Sequence, residues 1–231
     1  MALDKKDKKH FLRYVPIFGD LNEEGLIKIA NLGIVKKFRK GEVILLEEEA
    51  GSAMFVIISG KVKIVRADEK GREVILSILS ENDFFGEMAI LDGSTRSASV
   101  VSLSSSEVFI IHRKDFLDLM HDHPQVAVSL LKELTARLRK ADSQIKSLSL
   151  KDASGKVAFV ILQLADEIGL IQKGCVVINE LPLQQDLANM AGTSRETVSR
   201  MIHKFVKKGL LKLQGSKLII NDYEKFQNLY L

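Results

Sequence analysis

The sequence predicts an α+β protein with an N-terminal β jelly roll, one long dimerisation helix and a C-terminal winged helix-turn-helix domain. Three observations carry that prediction. Residues 42–111 break into short apolar or alternating runs separated by Gly, Asp, Asn and Ser. Residues 124–150 place apolar side chains every three or four positions, the spacing of a paired helix. Residues 181–209 hold two short helical stretches around Gly192, followed by two strands around a Gly215-Ser216 turn.

Length and composition agree with this division. A chain of 231 residues with 46% apolar content suffices for two ordinary domains with cores of their own. The expected boundaries are 1–123 for the β domain, 124–150 for the long helix and 151–231 for the winged domain. No apolar run approaches the roughly 18 residues that span a bilayer, and "MALDKKDKKHFLRYV" has charges without a following apolar core, which predicts a cytoplasmic protein without membrane contact. The single Cys175 excludes a disulfide framework within the chain and a cysteine-ligated cluster, and its place in "CVVI" predicts core packing. The net charge of +4 matters less than its distribution, because seven basic residues against one acid lie between Arg195 and Lys217.

Taken in order, "LNEEGLIKIANLG" reads as a helix: Asn22 caps it, acids fill its first turn and Gly33 ends it. The runs "EVILL", "MFVII", "KVKIV", "EVILSIL", "SASVVSL" and "EVFII" read as the strands of the barrel or jelly roll. From Pro124 the apolar positions Ala127, Leu131, Leu134, Leu138, Ala141, Ile145 and Leu148 form a heptad seam. With no second such helix in the chain, its natural partner is its own copy, and the alternative is an amphipathic helix lying on its own barrel. "VAFVILQLADEIG" is a further helix and "CVVI" a short strand. Leu183, Leu187, Met190 and Ala191 make one apolar face of the next helix, Gly192 breaks it, and Thr193 or Ser194 caps its successor. There Val198, Ile202 and Phe205 must face the core, so Arg195, Glu196, Ser199, Arg200 and His203 project away from it. "LLKL" and "KLII" form a wing, and Asp222 starts a last short helix.

That exposed set has a specific chemistry. Arg offers a fork to the O6 and N7 of guanine, and Glu accepts from the N4 amine of cytosine, so these side chains suit G·C pairs in double-stranded DNA. Lys204, Lys207, Lys208 and the wing lysines would neutralise phosphates without reading sequence. A solvated charged helix face is the plain alternative, and the coincidence of the capped turn, the outward Arg and Glu and the excess of bases weighs against it.

Two motifs, in this order and joined by the heptad helix, resemble those of the bacterial cAMP receptor protein and fumarate-nitrate regulator (CRP/FNR) superfamily of transcription factors, over about residues 15–221. "FGEMAILDGSTRSASV" resembles the phosphate-binding cassette of cyclic-nucleotide-binding domains, and "TSRETVSRMI" resembles the family's recognition helix. The resemblance implies a cyclic-nucleotide effector, cAMP first, and gives a use to Glu87 and Arg96, nine residues apart among mostly small and apolar side chains. Arg96 would pair with the phosphate and Glu87 would accept from the ribose 2′-hydroxyl. Ser97 would add a hydroxyl, and the amides near Gly86, Met88 and Ala89 an anion-binding concavity. A structural salt bridge between Glu87 and Arg96 is the alternative. Arg137 matches a position that holds the cassette glutamate.

The same resemblance implies that Thr193, Ser194, Arg195, Glu196, Ser199, Arg200, His203 and Lys204 meet a palindromic TGTGA-like site as part of a homodimer, with RNA polymerase as a further partner. One departure concerns the effector. Family members that respond to cAMP place Thr and Ser on the long helix where Ala141 and Asp142 stand here. Ala141 makes no hydrogen bond, and an ionised Asp142 only accepts, which suits adenine's amine and better suits the paired N1 and N2 donors of guanine. A cGMP or cyclic dinucleotide effector, or none, therefore stays open. An iron-sulfur sensor would need several cysteines, and "HDH" at 121–123 is a weak haem candidate on a loop. His10, His112, His121, His123 and His203 lack the spacing of a hydrolytic metal site, which argues against a phosphodiesterase and for a protein without catalytic residues or a metal. A kinase- or channel-attached nucleotide module is disfavoured by the helix-turn-helix.

Overall fold

The computed structural model describes residues 5–172 and 174–230. Two compact units form, one from the chain up to Arg66 together with Ser77–Arg139, the other from Ala67–Leu76 together with the chain from Lys140 onward.

The first unit opens with α1 (Lys5–Leu12) and α2 (Glu23–Leu32). The side chain of Asn22 accepts from the Gly25 amide at 2.9 Å, as its type and place require. The strands that follow α2 are β1 (Ile34–Phe38), β2 (Val43–Leu45), β3 (Ala53–Ser59), β4 (Val62–Ala67), β5 (Glu73–Leu79), β6 (Phe84–Phe85), β7 (Ser99–Ser102) and β8 (Ser106–His112), of which residue 67 of β4 and residues 73–76 of β5 fall in the second unit. Short helices α3 (Glu87–Asp92) and α4 (Arg113–Asp122) interrupt and follow them. Two four-stranded sheets result, in the orders β1-β8-β3-β6 and β2-β7-β4-β5.

Burial explains which sequence runs were apolar throughout. In β3, Phe55 and Ile57 enter the core between the sheets with Leu45, Val62 and Val100, whereas Met54 and Val56 enter a second core with Leu26, Ile29, Phe116 and Leu130 from the helices. A central strand covered on both faces reads as an unbroken apolar run, and each such side chain contributes about 1.5 to 3 kcal/mol. β1 escaped the strand signal because "IVKKF" puts two lysines together on an exposed edge, and β6 is too short to show a period. The helices α1, α3 and α4 and the strand β9 (Leu170–Gln172) likewise form where the sequence carries no clear period. His121 and His123 sit at the end of α4, not on a loop.

The long helix α5 runs Pro124–Leu150. Its expected seam divides. Leu134 packs against the helical core of the first unit, and Ala127 is half-buried. Leu131, Leu138 and Ile145 are 64%, 63% and 63% exposed. With Val128 and Thr135 these form a stripe, spaced three, four and three residues from Val128 to Leu138 with Ile145 one heptad further on, rotated slightly from the expected one.

In the second unit, Asp152 caps α6 (Ala153–Ile168). A four-stranded sheet in the order β11-β12-β10-β9 joins β9 to β10 (Cys175–Ile178), β11 (Leu211–Gln214) and β12 (Lys217–Ile220). Between β10 and β11 stand α7 (Gln184–Ala191) and α8 (Arg195–Lys207), and α9 (Tyr223–Tyr230) is the last element among the described residues. Val198, Ile202 and Phe205 are buried as their spacing requires. Three expectations fail. Leu183 precedes α7 and is 72% exposed, so it is no part of that helix's buried face. Cys175 is half-buried, with its thiol donating to the Asn221 carbonyl at 3.5 Å, and is no core residue. Leu148, expected on the seam, instead lies against the turn between α7 and α8, where a Cβ on Gly192 would come within 3.1 Å of its Cδ2. Among the described residues no helix is long and apolar enough to cross a membrane, and no cluster of three or more His, Cys, Asp or Glu side chains forms.

Candidate functional site

Residues 84–97 form a strand, a tight turn, a short helix and a loop that bring Glu87 and Arg96 into the wall of the jelly roll. Gly86 makes the turn with φ of 79°, a left-handed conformation, and a Cβ there would lie 2.8 Å from Arg96 Nη1. Arg96 is placed by its own backbone, whose amide donates to Glu49 O at 2.8 Å while its carbonyl accepts from the Glu48 amide at 2.9 Å.

The side chains are buried, Arg96 at 5% and Glu87 at 3% exposure. Arg96 Nη1 donates to the Gly86 carbonyl at 2.7 Å and Nη2 to the Ala53 carbonyl at 2.8 Å. Its guanidinium lies 5.7 Å from the ring of Phe55, which stacks on Phe85 at 5.1 Å. Burial pushes the guanidinium's pKa down, and the attraction of Glu87 and Glu49 opposes that without either forming an ion pair with it. The alternative of a direct Glu87–Arg96 bridge is thus not what the side chains do. Glu87 Oε1 accepts from Arg137 Nη1 at 3.1 Å instead. Arg137 also donates from Nη2 to the Phe84 carbonyl at 2.6 Å and sits 4.2 Å over that ring. A buried cation whose hydrogen-bond partners among the described residues are two neutral carbonyls is an energetically open position, which an anion in contact with it would close.

Around this pair, Ser97 is exposed and its hydroxyl donates to Met88 Sδ at 3.6 Å. The side chain of Ala89 is buried against Gly51, which leaves only its backbone for a ligand. Asp142 is exposed on α5. The stacked Phe55 and Phe85 beside Arg96, and Phe84 on the opposite face under Arg137, carried no signal of their own in the sequence beyond the "FF" doublet before the Gly86 turn.

In the second unit, Ser194 caps α8, its hydroxyl accepting from the Thr197 amide at 3.2 Å, while Thr193 stands half-buried before it. Arg195, Glu196, Arg200, His203 and Lys204 are exposed along the helix and Ser199 is half-buried. The Glu196 carboxyl is held below the usual carboxylate range by its own backbone amide, the Ser194 hydroxyl and Arg195. His203 Nδ1–H donates to the Ser199 carbonyl at 2.8 Å, which fixes the ring and its tautomer. Arg200 Nη2 reaches Thr197 Oγ1 at 3.4 Å, so Thr197, absent from the sequence-derived set, is the side chain that positions this arginine. Its signal was the "TSRET" context, in which a capping hydroxyl and a guanidinium lie one turn either side of it.

A buried arginine beside a held glutamate in a jelly roll, followed by a long helix and a capped, basic helix-turn-helix, defines a ligand-sensing DNA-binding regulator. Residues 35–123 match the model of the cyclic nucleotide-binding domain, and residues 155–229 match the Crp-like helix-turn-helix domain. The chain belongs to the CRP/FNR superfamily of transcription regulators. It is 33% identical, over 81% of its length and 84% of that protein, to a CRP-like cAMP-activated global transcriptional regulator of Mycobacterium tuberculosis. It is likewise 33% identical to the cyclic AMP receptor protein of Thermus thermophilus, over 86% of this chain and 88% of that one. FixK2 of Bradyrhizobium japonicum shares the fold with a TM-score of 0.76, covering 86% of this chain and 98% of that one at 23% identity.

Proposed function

We propose that this chain is a homodimeric, cyclic-nucleotide-gated, sequence-specific DNA-binding transcription regulator with cAMP as its effector. The observation that carries the proposal is the buried Arg96 guanidinium, hydrogen-bonded to two neutral carbonyls and to no carboxylate. The phosphodiester of a cyclic nucleotide supplies the missing negative charge. Glu87, oriented by Arg137, accepts from the ribose 2′-hydroxyl, and Ser97 exchanges its weak bond to Met88 for one to phosphate. The names of the curated relatives support cAMP. Asp142 favours a second reading, cGMP, because an exposed acceptor suits guanine's two adjacent donors.

The exposed stripe on α5 supports the dimer. Val128, Leu131, Thr135, Ala136 and the stems of Lys132 and Arg139 line a groove of about 460 Å³, and a second α5 fits such an apolar helix face as its copy. Ligand bound at the jelly roll favours one arrangement of the pair, which sets the separation of the two α8 helices. They read half-sites about one helical turn, roughly 34 Å, apart, the spacing of helix-turn-helix dimers generally, the catabolite activator protein among them. Arg195, Arg200 and Glu196 select G·C pairs of a TGTGA-like element. Thr193, Ser194, Ser199, His203 and Lys204 complete the interface, and RNA polymerase is the partner downstream. Calorimetric titration of nucleotide-stripped protein with cAMP, cGMP and a cyclic dinucleotide tests the reading. Saturable binding of cAMP supports it, binding of cGMP in preference favours the second reading, and binding of none refutes the pocket.

A further inference from the structure

The C-terminal helix α9 touches two places that regulation would have to connect. The first is the elbow between α5 and α6. Lys151 stands there between Leu150, the last residue of α5, and Asp152, the cap of α6. Its stem lies across the first turn of α6, so close that a Cβ on Gly155 would come within 3.0 Å of Lys151 Cβ and 3.2 Å of its Cδ. Its ammonium group donates to the main-chain carbonyl of Tyr230, at the end of α9.

The second place is α8. The ring of Tyr230 meets Phe205 edge-on at 4.9 Å and Phe226 at 5.3 Å, and Phe226 meets Phe205 edge-on at 5.4 Å. Phe205 and Phe226 are fully buried. The other end of α9 is tied to α6, where the Tyr223 hydroxyl donates to Asp166 Oδ1 at 2.6 Å. One residue, Tyr230, therefore joins the elbow through its carbonyl and the DNA-reading helix through its ring.

We propose that α9 is a strut that transmits displacements of the α5–α6 elbow to α8, with Lys151 and Tyr230 as its positioning residues. Close-packed aromatic rings resist sliding, and the Lys151 ammonium holds the Tyr230 carbonyl to the elbow, so the elbow and α8 shift together. Leu148, packed against the turn before α8, gives the last turn of α5 a second hold on the same module. The inference rests on the reading of α8 as the DNA-facing helix. It adds the route by which a change in the long helix reaches that interface.

Amide hydrogen exchange of the full-length protein, with and without a saturating palindromic duplex at low salt, tests the strut, since phosphate contacts alone hold the complex there. In the wild type, and in the conservative variants Tyr230→Phe and Lys151→Arg, the duplex slows exchange both in α8 and at elbow residues 147–156. In Tyr230→Ala and in Lys151→Met, α8 is still slowed but the slowing at the elbow falls by at least about fivefold, the low end of ordinary coupling between sites. If Tyr230→Ala exchanges faster throughout the domain, Lys151→Met, which keeps the stem over Gly155, decides the matter. Elbow amides that respond equally in wild type and Lys151→Met, or do not respond in the wild type, overturn the strut. Binding of the duplex without slowing in α8 overturns the placement of the DNA interface instead.

Discussion

Arg96 is buried in a wall of main-chain carbonyls and aromatic rings, and it gains no ion pair for its desolvation. Two consequences follow for Arg96→Ala. Cyclic-nucleotide affinity falls by about 2 to 3 kcal/mol because the phosphate loses its charged donor, as calorimetry would read. Stability also falls, by roughly 1 to 3 kcal/mol, because the Gly86 and Ala53 carbonyls lose their donors, which denaturant titration would read. An affinity equal to that of the wild type would remove Arg96 from the pocket. The base is a separate matter. If Asp142 reads it, Asp142→Ser shifts the ratio of cAMP to cGMP affinity toward cAMP, and an unchanged ratio means the carboxylate does not contact the ligand. At this scale the sequence disclosed the residue types and their spacing, which is why Glu87, Arg96 and Arg137 were legible. The resemblance implied that Arg137 holds Glu87, but the residues alone left a Glu87–Arg96 bridge open, since that depends on where the Gly86 and Ala53 carbonyls that take up Arg96 stand after folding.

Among the elements, α8 was the most legible, because a buried i, i+4, i+7 set fixes every other face of a helix. Glu196→Ala should relax selectivity at one base pair by about 1 to 3 kcal/mol, whereas Lys207→Ala should weaken binding to all duplexes alike and flatten its salt dependence. Competition binding against single-base variants of the site separates the two. In α9, Tyr223 is pushed up to about 12, first by burial and then by its bond to Asp166. A folded-state value above the ordinary one of about 10 means that the stabilisation is fully present below pH ~10 and is lost as the pH rises through about 12. Tyr223→Phe should therefore melt earlier than the wild type by an amount equivalent to about 1 kcal/mol at neutral pH, and the gap should close at the alkaline end. A gap that persists unchanged there would place the tyrosine's contribution elsewhere. The half-legible element was α5. Periodicity showed a seam but could not tell which of its positions Leu134 and Leu148 would spend on contacts within the chain.

For the whole molecule, the order of the parts was legible because each has its own period: two for the sheets, heptads for α5, and cap-and-glycine punctuation for the helix-turn-helix. The self-pairing of α5 is testable on the residues left exposed. Leu131→Asp with Leu138→Asp buries unpaired charge between two helices at a cost of several kcal/mol, so sedimentation should show monomers. Leu134 would be a poor probe, since its loss disturbs the first unit's own core. The central claim is that a cyclic nucleotide gates the reading of a two-fold DNA site. Selection from random duplexes at fixed salt, with and without cyclic nucleotide, tests it most directly. The account predicts enrichment, dependent on the nucleotide, of a palindrome with G·C pairs at two or three positions of each half-site, roughly one helical turn apart. Enrichment of a non-palindromic or purely A·T motif, or the same enrichment with and without nucleotide, would contradict it.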